Sequence, residues 1–260
     1  MQDTLKIAGI QSDLIWESPY RNRNNFESKI NALSTEIDIV FLPEMFATAF
    51  TMSPDDVAES MDGDSIQWMQ KLAKEKDLAI AGSLIIQENG AYYNRFVFVS
   101  PNGNIKTYDK RHTFTLAGED KIYNRGNEKI IIEYKGWKIC PMVCYDLRFP
   151  AWSRNLEDYD LLVYVANWPK PRIGAWDALL KARAIENMCY CIGVNRVGED
   201  HYEHVYSGHS AVFDGLGHLM IQAKESREDI IIAELNKQHL SAIREQLKFL
   251  DDRDHFTVSL

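Results

Sequence analysis

Short apolar runs alternate with amphipathic segments along this chain, and the alternation constrains its fold more than any other feature. Apolar runs of strand length occupy residues 5–11, 38–42, 78–87, 160–166 and 190–195. Between the second and third runs, Ile66, Met69 and Leu72 lie at helical spacing. This order of elements predicts a mixed α/β fold with helices outside a β interior.

Turn signals and further helical patterns complete the prediction. Asn89-Gly90 and Asn102-Gly103 predict tight turns between strands, and residues 129–143 read as another hairpin. Helices are predicted at residues 19–36, 65–77, 147–158 and 175–188, and residues 236–254 are predicted to form a closing helix and tail. No Pro/Gly/Ser-rich stretch divides the chain, so we expect residues 1–260 to form a single domain.

Charge and composition exclude several classes of function. A net charge of -9 argues against a nucleic-acid surface, and the apolar runs are far shorter than a membrane span. The N-terminal residues lack the basic and apolar regions of a secretory signal, so we expect a cytoplasmic protein with free thiols. The spacing of Cys189 and Cys191 does not fit the usual metal-binding patterns.

Three reactive side chains follow strand-like segments, where catalytic groups often gather. They are Glu44, Lys110 and Cys144. A thiol with an ordinary pKa of about 8.5 needs a base to become a nucleophile, and a glutamate can serve. A lysine ammonium and the backbone N–H of Tyr145 could stabilise an oxyanion. Each residue also has an ordinary reading as a packing cysteine or a solvated charge, and spacing alone does not bring the three together.

The segments around these residues resemble a known family. FLPEMF (41–46), YDKRHTF (108–114) and VCYDLRFP (143–150), in this order, resemble the signature segments of the nitrilase superfamily of carbon–nitrogen hydrolases. The resemblance extends from residue 5 to residue 219. It implies a four-layer α-β-β-α sandwich with mixed sheets, a homodimer paired through a helical face, and neither metal nor organic cofactor.

The resemblance also implies roles for individual residues. Glu44 corresponds to the general base, Lys110 to the oxyanion stabiliser and Cys144 to the nucleophile of a thioester mechanism. A second glutamate of the family, near the lysine and the substrate, corresponds best to Glu119, with Asp120 as the competing position.

The sequence CYDLRFP resembles the omega-amidase branch, which hydrolyses the terminal amide of short 2-oxo acids such as 2-oxoglutaramate. We therefore expect a small-molecule amide substrate with a free carboxylate. Arg172, beside Lys170, is the predicted carboxylate partner. Trp168 and Phe46 are predicted to wall the pocket.

Other interpretations stay open. The chain could be an aliphatic amidase, a carbamoylase or a catalytically silent binding protein on the same scaffold. A thiol redox sensor using Cys140 and Cys144 is disfavoured by their four-residue separation across a strand.

Arg148 is expected to form an ion pair with Asp146. A metal site at His201, His204 and His209 does not fit zinc spacing, and His209 could instead lie near the active site.

Overall fold

Two β-sheets form the centre of the computed structural model, which describes residues 2–33 and 36–259. The first sheet contains β1 (Thr4–Gln11), β2 (Ile39–Phe41), β3 (Ala79–Glu88), β4 (Ala91–Val99), β5 (Ile105–Asp109), β6 (Tyr123–Asn124) and β15 (Asp229–Asn236). The second contains β7 (Ile132–Tyr134), β8 (Trp137–Val143), β9 (Leu161–Ala166), β10 (Tyr190–Asn195), β13 (Ala211–Phe213) and β14 (Leu219–Gln222). A separate hairpin consists of β11 (Val197–Glu199) and β12 (Val205–Ser207).

Both sheets are mixed, and each has parallel strands at its centre. The first sheet has the order β15-β1-β2-β3-β4-β5, with β6 paired to β4, and β1, β2 and β3 are parallel. The second has the order β14-β13-β10-β9-β8-β7, with β8, β9 and β10 parallel. Antiparallel strands flank both centres. Since β5 runs in the same direction as β3, the carboxyl ends of β2 and β5 lie at one edge of the first sheet.

The described helices are α1 (Pro19–Asn31), α2 (Asp64–Lys76), α3 (Pro150–Ser153), α4 (Ile173–Asn187) and α5 (Lys237–Leu247). Alternation along β1 separates the layers: Ala8 and Ile10 belong to the core under α1 and α2, whereas Leu5 and Ile7 belong to the core shared with the second sheet. On the far side of the second sheet, α4 packs closely against β10. The predicted four-layer α-β-β-α sandwich with mixed sheets is confirmed.

Close approach between the layers requires two glycines. A Cβ atom on Gly9 would lie 2.9 Å from Val194 Cγ2, so a side chain there would push the two sheets apart. A Cβ atom on Gly193 would lie 2.4 Å from Leu180 Cδ1 of α4. The separation of sheet from sheet, and of sheet from helix, thus depends on residues without side chains.

The hairpin predictions are confirmed. Asn89 and Gly90 both have positive φ, 52° and 77°, as a type I′ turn between β3 and β4 requires. β7 and β8 form the hairpin predicted at 129–143. No helix in the described ranges is long and apolar enough to span a membrane.

The prediction of a helix over 147–158 is wrong. A 3₁₀ turn covers Cys144–Arg148, and α3 has only four residues. Pro150 explains the interruption, since the residue before a proline avoids helical geometry and Phe149 has φ -116° and ψ 87°. The first predicted helix also ends early, at Asn31. The closing segment forms a helix to Leu247 and then a tail, as predicted. Residues 34 and 35 of the first prediction lie outside the described part.

Candidate active site

The candidate residues meet where the carboxyl ends of strands from both sheets converge. Glu44 lies three residues beyond β2, Lys110 directly follows β5, and Cys144 directly follows β8. Glu119 begins a short 3₁₀ turn, Glu119–Lys121. Because the two sheets face each other, these ends bring side chains distant in sequence into one cluster.

Lys110 lies between two carboxylates. Its Nζ is 2.9 Å from Glu44 Oε1 and 2.9 Å from both Glu119 oxygens. All three side chains are buried, with exposed fractions of 0–1%. Asp120, the competing position for the second acid, is exposed. The structure therefore places Glu119, and not Asp120, at the lysine.

Two asparagines that sequence reasoning missed orient the carboxylates. Asn94 of β4 donates from Nδ2 to Glu44 Oε1 at 2.8 Å and to Glu119 Oε1 at 3.1 Å. The backbone N–H of Asn167 donates to Glu44 Oε2 at 2.8 Å, and its Nδ2 donates to the Glu44 carbonyl at 2.6 Å. A signal for Asn167 exists in the sequence, because a polar residue follows the apolar run of β9 directly.

The backbone at Cys144 is strained. Its φ of 46° lies in the left-handed region that non-glycine residues seldom occupy. The thiol is 3.9 Å from the Asn167 carbonyl oxygen. Tyr145 lies in the first turn of the 3₁₀ segment, where backbone N–H groups lack partners within the helix. The turn thus presents a thiol and an adjacent N–H donor together.

Burial and the neighbouring charges together set the protonation states of this cluster. Burial would lower the pKa of Lys110, but Glu119 and Glu44 outweigh it and raise that pKa, so the ammonium is charged. Burial raises the pKa of the Cys144 thiol well above its ordinary value, and Glu44 adds to the effect against the opposing pull of Lys110. Burial also raises the pKa of Glu119. The resting thiol is therefore protonated and needs a base to react.

A cavity of about 470 Å³ opens onto the cluster. Glu44, Lys110 and Cys144 line it together with Tyr145, Trp168 and Arg172. The Trp168 indole Nε1–H donates to the Arg172 carbonyl at 2.8 Å. Lys170, beside Arg172 in the chain, is exposed and is not among the lining residues.

Phe46 does not wall this cavity, so that prediction is wrong. Its side chain is fully buried in the core beneath α1 and α2, where it packs on Phe26 and Trp68 with ring centroids 5.8 and 5.9 Å away. The chain turns after Glu44, with Met45 at φ 44°, and directs Phe46 towards the helical layer. Phe50 lines the cavity instead, its ring centroid 5.4 Å from Lys110 Nζ.

The predicted ion pair between Arg148 and Asp146 is also wrong. Asp146 is buried and accepts hydrogen bonds from His112, Tyr108 and Val143. The exposed Arg148 turns to the cavity, with its guanidinium carbon 4.9 Å from the Trp168 ring centroid.

The remaining histidines and cysteines occupy separate settings. His201 stacks on Trp16, His204 binds Asp200 at 3.1 Å, and His209 binds Asp177 at 3.0 Å. His204 lines the cavity, whereas His209 does not. Within residues 2–33 and 36–259, no group of His, Cys, Asp and Glu side chains is arranged to hold a metal ion. All four cysteines are free thiols.

Comparison with known proteins gives the family. The sequence model of the carbon-nitrogen hydrolases matches residues 6–245. The chain belongs to the carbon–nitrogen hydrolase family. The resemblance predicted from the three segments is thereby confirmed.

Relatives of this carbon–nitrogen hydrolase include omega-amidases. It is 43% identical over 254 residues to the omega-amidase YafV of Escherichia coli (strain K12), covering 98% of each chain. It is 33% identical over 251 residues to the 2-oxoglutaramate amidase of Bacillus subtilis (strain 168), covering 95% of this chain and 96% of that one. The crystal structure of XC1258 from Xanthomonas campestris, a CN-hydrolase superfamily protein with an arsenic adduct in its active site, has a TM-score of 0.96 at 37% identity. That match covers 99% of this chain and 100% of the other.

Proposed function

We propose that this protein is a cysteine-dependent amidase that hydrolyses the terminal carboxamide of a short 2-oxo acid, such as 2-oxoglutaramate, to the acid and ammonia. The observation that carries the proposal is the buried contact of Glu44 and Glu119 with Lys110 beside the Cys144 thiol, at a cavity lined by Arg172. Similarity to an omega-amidase and a 2-oxoglutaramate amidase supports the choice of substrate.

The first half of the reaction forms a thioester. Glu44 takes the proton of the Cys144 thiol as the sulfur attacks the carboxamide carbon. The Lys110 ammonium and the Tyr145 N–H stabilise the oxyanion that develops on the carboxamide oxygen. Glu44 then gives its proton to the leaving nitrogen, and ammonia departs. Because the resting thiol is protonated, a base this close to it is essential.

The second half of the reaction hydrolyses the thioester. Glu44 removes a proton from water as its oxygen attacks the thioester carbon, and the thiolate leaves and is reprotonated. Glu119 keeps the Lys110 ammonium charged and in place. Asn167 Oδ1 has no hydrogen-bond partner in the described part of the chain. It is an acceptor available to the N–H groups of the carboxamide.

The carboxylate at the other end of the substrate binds Arg172. The Arg172 guanidinium carbon lies 5.3 Å from the Phe114 ring centroid. The guanidinium offers a planar pair of donors to a carboxylate. Trp168 and Phe50 wall the cavity around the carbon chain. A neutral aliphatic amide would use the same catalytic cluster but would gain nothing from Arg172.

The proposal also covers the cellular compartment and the oligomeric state of the enzyme. Four free thiols support work in a reducing compartment such as the cytoplasm. A homodimer paired through the α4 face is supported by the exposed apolar side chains of Ile185 and Leu216. Sedimentation of the purified protein tests the dimer.

Ammonia release from 2-oxoglutaramate and 2-oxosuccinamate, by wild type and Cys144→Ala, tests the function. We expect turnover of both substrates by wild type and none by the variant. Turnover confined to simple aliphatic amides or to N-carbamoyl compounds would instead indicate an aliphatic amidase or a carbamoylase. Binding without turnover would indicate a silent relative.

A further inference from the structure

Two arginines line the cavity without a carboxylate partner. Within residues 2–33 and 36–259, neither Arg148 nor Arg172 forms an ion pair, and the contacts of both guanidiniums are with aromatic rings. An unpaired guanidinium in a cavity wall keeps its donors free for a ligand. The proposed function uses Arg172 alone, so Arg148 calls for its own explanation.

Trp168 contacts both arginines and places them on the same wall of the cavity. Its ring lies under the Arg148 guanidinium, and its indole N–H holds the Arg172 carbonyl. Trp168 itself is buried, and its backbone N–H donates to Asn195 Oδ1 at 2.7 Å. A fixed tryptophan therefore sets where both positive charges stand relative to the cavity.

The nearby carboxylates do not neutralise this wall. Asp200 lines the same cavity, but its Oδ1 accepts the backbone N–H groups of Tyr202 at 2.9 Å and His204 at 3.0 Å. Its Oδ2 accepts the Tyr206 hydroxyl at 2.8 Å and faces the His204 ring. Asp200 is thus occupied by its own loop. Glu44, the other carboxylate lining the cavity, is engaged by Lys110.

We propose that Arg148 is a specificity-determining residue that, with Arg172, admits 2-oxo acid amides and rejects 2-amino acid amides. This inference rests on the proposed function. 2-Oxoglutaramate and L-glutamine share the same carboxamide and carboxylate and differ only at C2. A C2 carbonyl oxygen accepts a hydrogen bond from a guanidinium, whereas an ammonium at C2 meets like charge, and the lining carboxylates Glu44 and Asp200 are already engaged. Rejection by repulsion would protect glutamine from hydrolysis.

Three substrates separate the contributions of charge and hydrogen bonding. They are 2-oxoglutaramate, glutaramate, which has a methylene at C2, and L-glutamine. Glutaramate reports carboxylate binding without either C2 group. The measurement is kcat/KM for each substrate with wild type, Arg148→Gln and Arg148→Lys. Lys170→Ala is the matched control, because it removes a neighbouring positive charge that does not line the cavity.

We expect Arg148→Gln to lower kcat/KM for 2-oxoglutaramate at least about tenfold relative to glutaramate, the equivalent of one charge-assisted hydrogen bond. It should raise the ratio of glutamine to glutaramate turnover by a similar factor. Arg148→Lys keeps the charge and loses the planar donors, so it should continue to reject glutamine while handling 2-oxoglutaramate less well. Lys170→Ala should change every value less than about twofold, as a surface substitution.

The outcomes distinguish a failure of the proposed Arg148 role from a failure of the proposed amidase function. If Arg148→Gln lowers all three values by one common factor, Arg148 does not set specificity and the inference is overturned while the amidase stands. If wild type hydrolyses neither 2-oxoglutaramate nor glutaramate, the proposed function fails and the inference falls with it. Because Arg148 is exposed, Arg148→Gln should fold; titration of Cys144 with iodoacetamide normalises each preparation to its intact sites.

Discussion

His112 and Asp146 join the segment that carries Lys110 to the turn that carries Cys144. His112 Nδ1 lies 2.8 Å from Asp146 Oδ1, and the His112 backbone N–H donates to the same oxygen at 2.9 Å. The His112 ring stacks on Phe149 with centroids 3.7 Å apart. Since Asp146 is fully buried, its carboxylate helps to set the position of the ammonium relative to the thiol.

Paired substitutions of His112 test this coupling. His112→Phe keeps a ring on Phe149 but removes the side-chain donor to Asp146. We expect kcat on 2-oxoglutaramate to fall about 10- to 100-fold with KM changed little, because small misplacements of reacting groups slow the chemical step. His112→Asn can return a donor near the Nδ1 position without the stacked ring, and should recover most of kcat.

Thermal unfolding provides the control for that pair. If both variants lose kcat in proportion to their loss of melting temperature, His112 is merely structural. If His112→Asn is as slow as His112→Phe at equal stability, the hydrogen bond to Asp146 does not position the turn.

Lys110→Met should destabilise the protein as well as inactivate it. The substitution leaves Glu44 and Glu119 buried without their shared cation, which costs about 3–5 kcal/mol in the free energy of unfolding at pH 7.5. Burial already raises the pKa of Glu119 against the opposing pull of Lys110, so without the lysine its folded-state pKa lies further above the unfolded one. The deficit should therefore shrink at pH 5, where protonation relieves the charge.

Urea unfolding at the two pH values measures this effect. The double variant Lys110→Met/Glu119→Gln is the matched control, since it removes one of the stranded charges. It should be more stable than Lys110→Met at pH 7.5. Equal stabilities would show that the lysine does not compensate the two carboxylates.

The sequence located the reactive residues but could not show that they meet. Glu44, Lys110 and Cys144 were recognisable because each follows an apolar strand. Their contact depends on strand order and on the facing of two sheets, which are long-range features that local periodicity does not encode. The ordered segments of the family resemblance supplied that information.

Side-chain direction was the weakest part of the prediction. Phe46 is two residues from Glu44, but the positive φ of Met45 sends it into the opposite layer. Sequence proximity predicts Arg148 as the partner of Asp146, but in the structure Asp146 binds His112, which is 34 residues away. Proximity in sequence therefore said little about which groups face the cavity.

Buried thiols give the fold a dependence on alkaline pH. Burial raises the pKa values of all four thiols, Cys140, Cys144, Cys189 and Cys191, above the ordinary value. Above about pH 8.5 the unfolded chain loses these protons while the folded chain keeps them, so stability falls as pH rises. Between pH 7.5 and 9.5 we expect a loss of about 1.4 kcal/mol per thiol, or about 5–6 kcal/mol for the four.

Urea unfolding under reducing conditions measures this slope. Cys191→Ala should lose about a quarter of it, even though the substitution also lowers stability at pH 7.5. A free energy of unfolding that stays constant from pH 7.5 to 9.5 would contradict the assignment of these thiols as protonated in the folded state.

Arg172→Ala should separate charged substrates from neutral ones. Loss of a charge-assisted, two-donor contact costs about 1.5–3 kcal/mol, which corresponds to a rise of about 10- to 100-fold in KM for 2-oxoglutaramate. A neutral amide such as butyramide has no carboxylate to lose, so its kcat/KM should change less than about threefold. Lys170→Ala, two residues away and outside the cavity wall, should leave both substrates unaffected. Equal losses on 2-oxoglutaramate and butyramide would mean that Arg172 shapes the wall without binding the carboxylate, and that the carboxylate partner is another cation of the cavity.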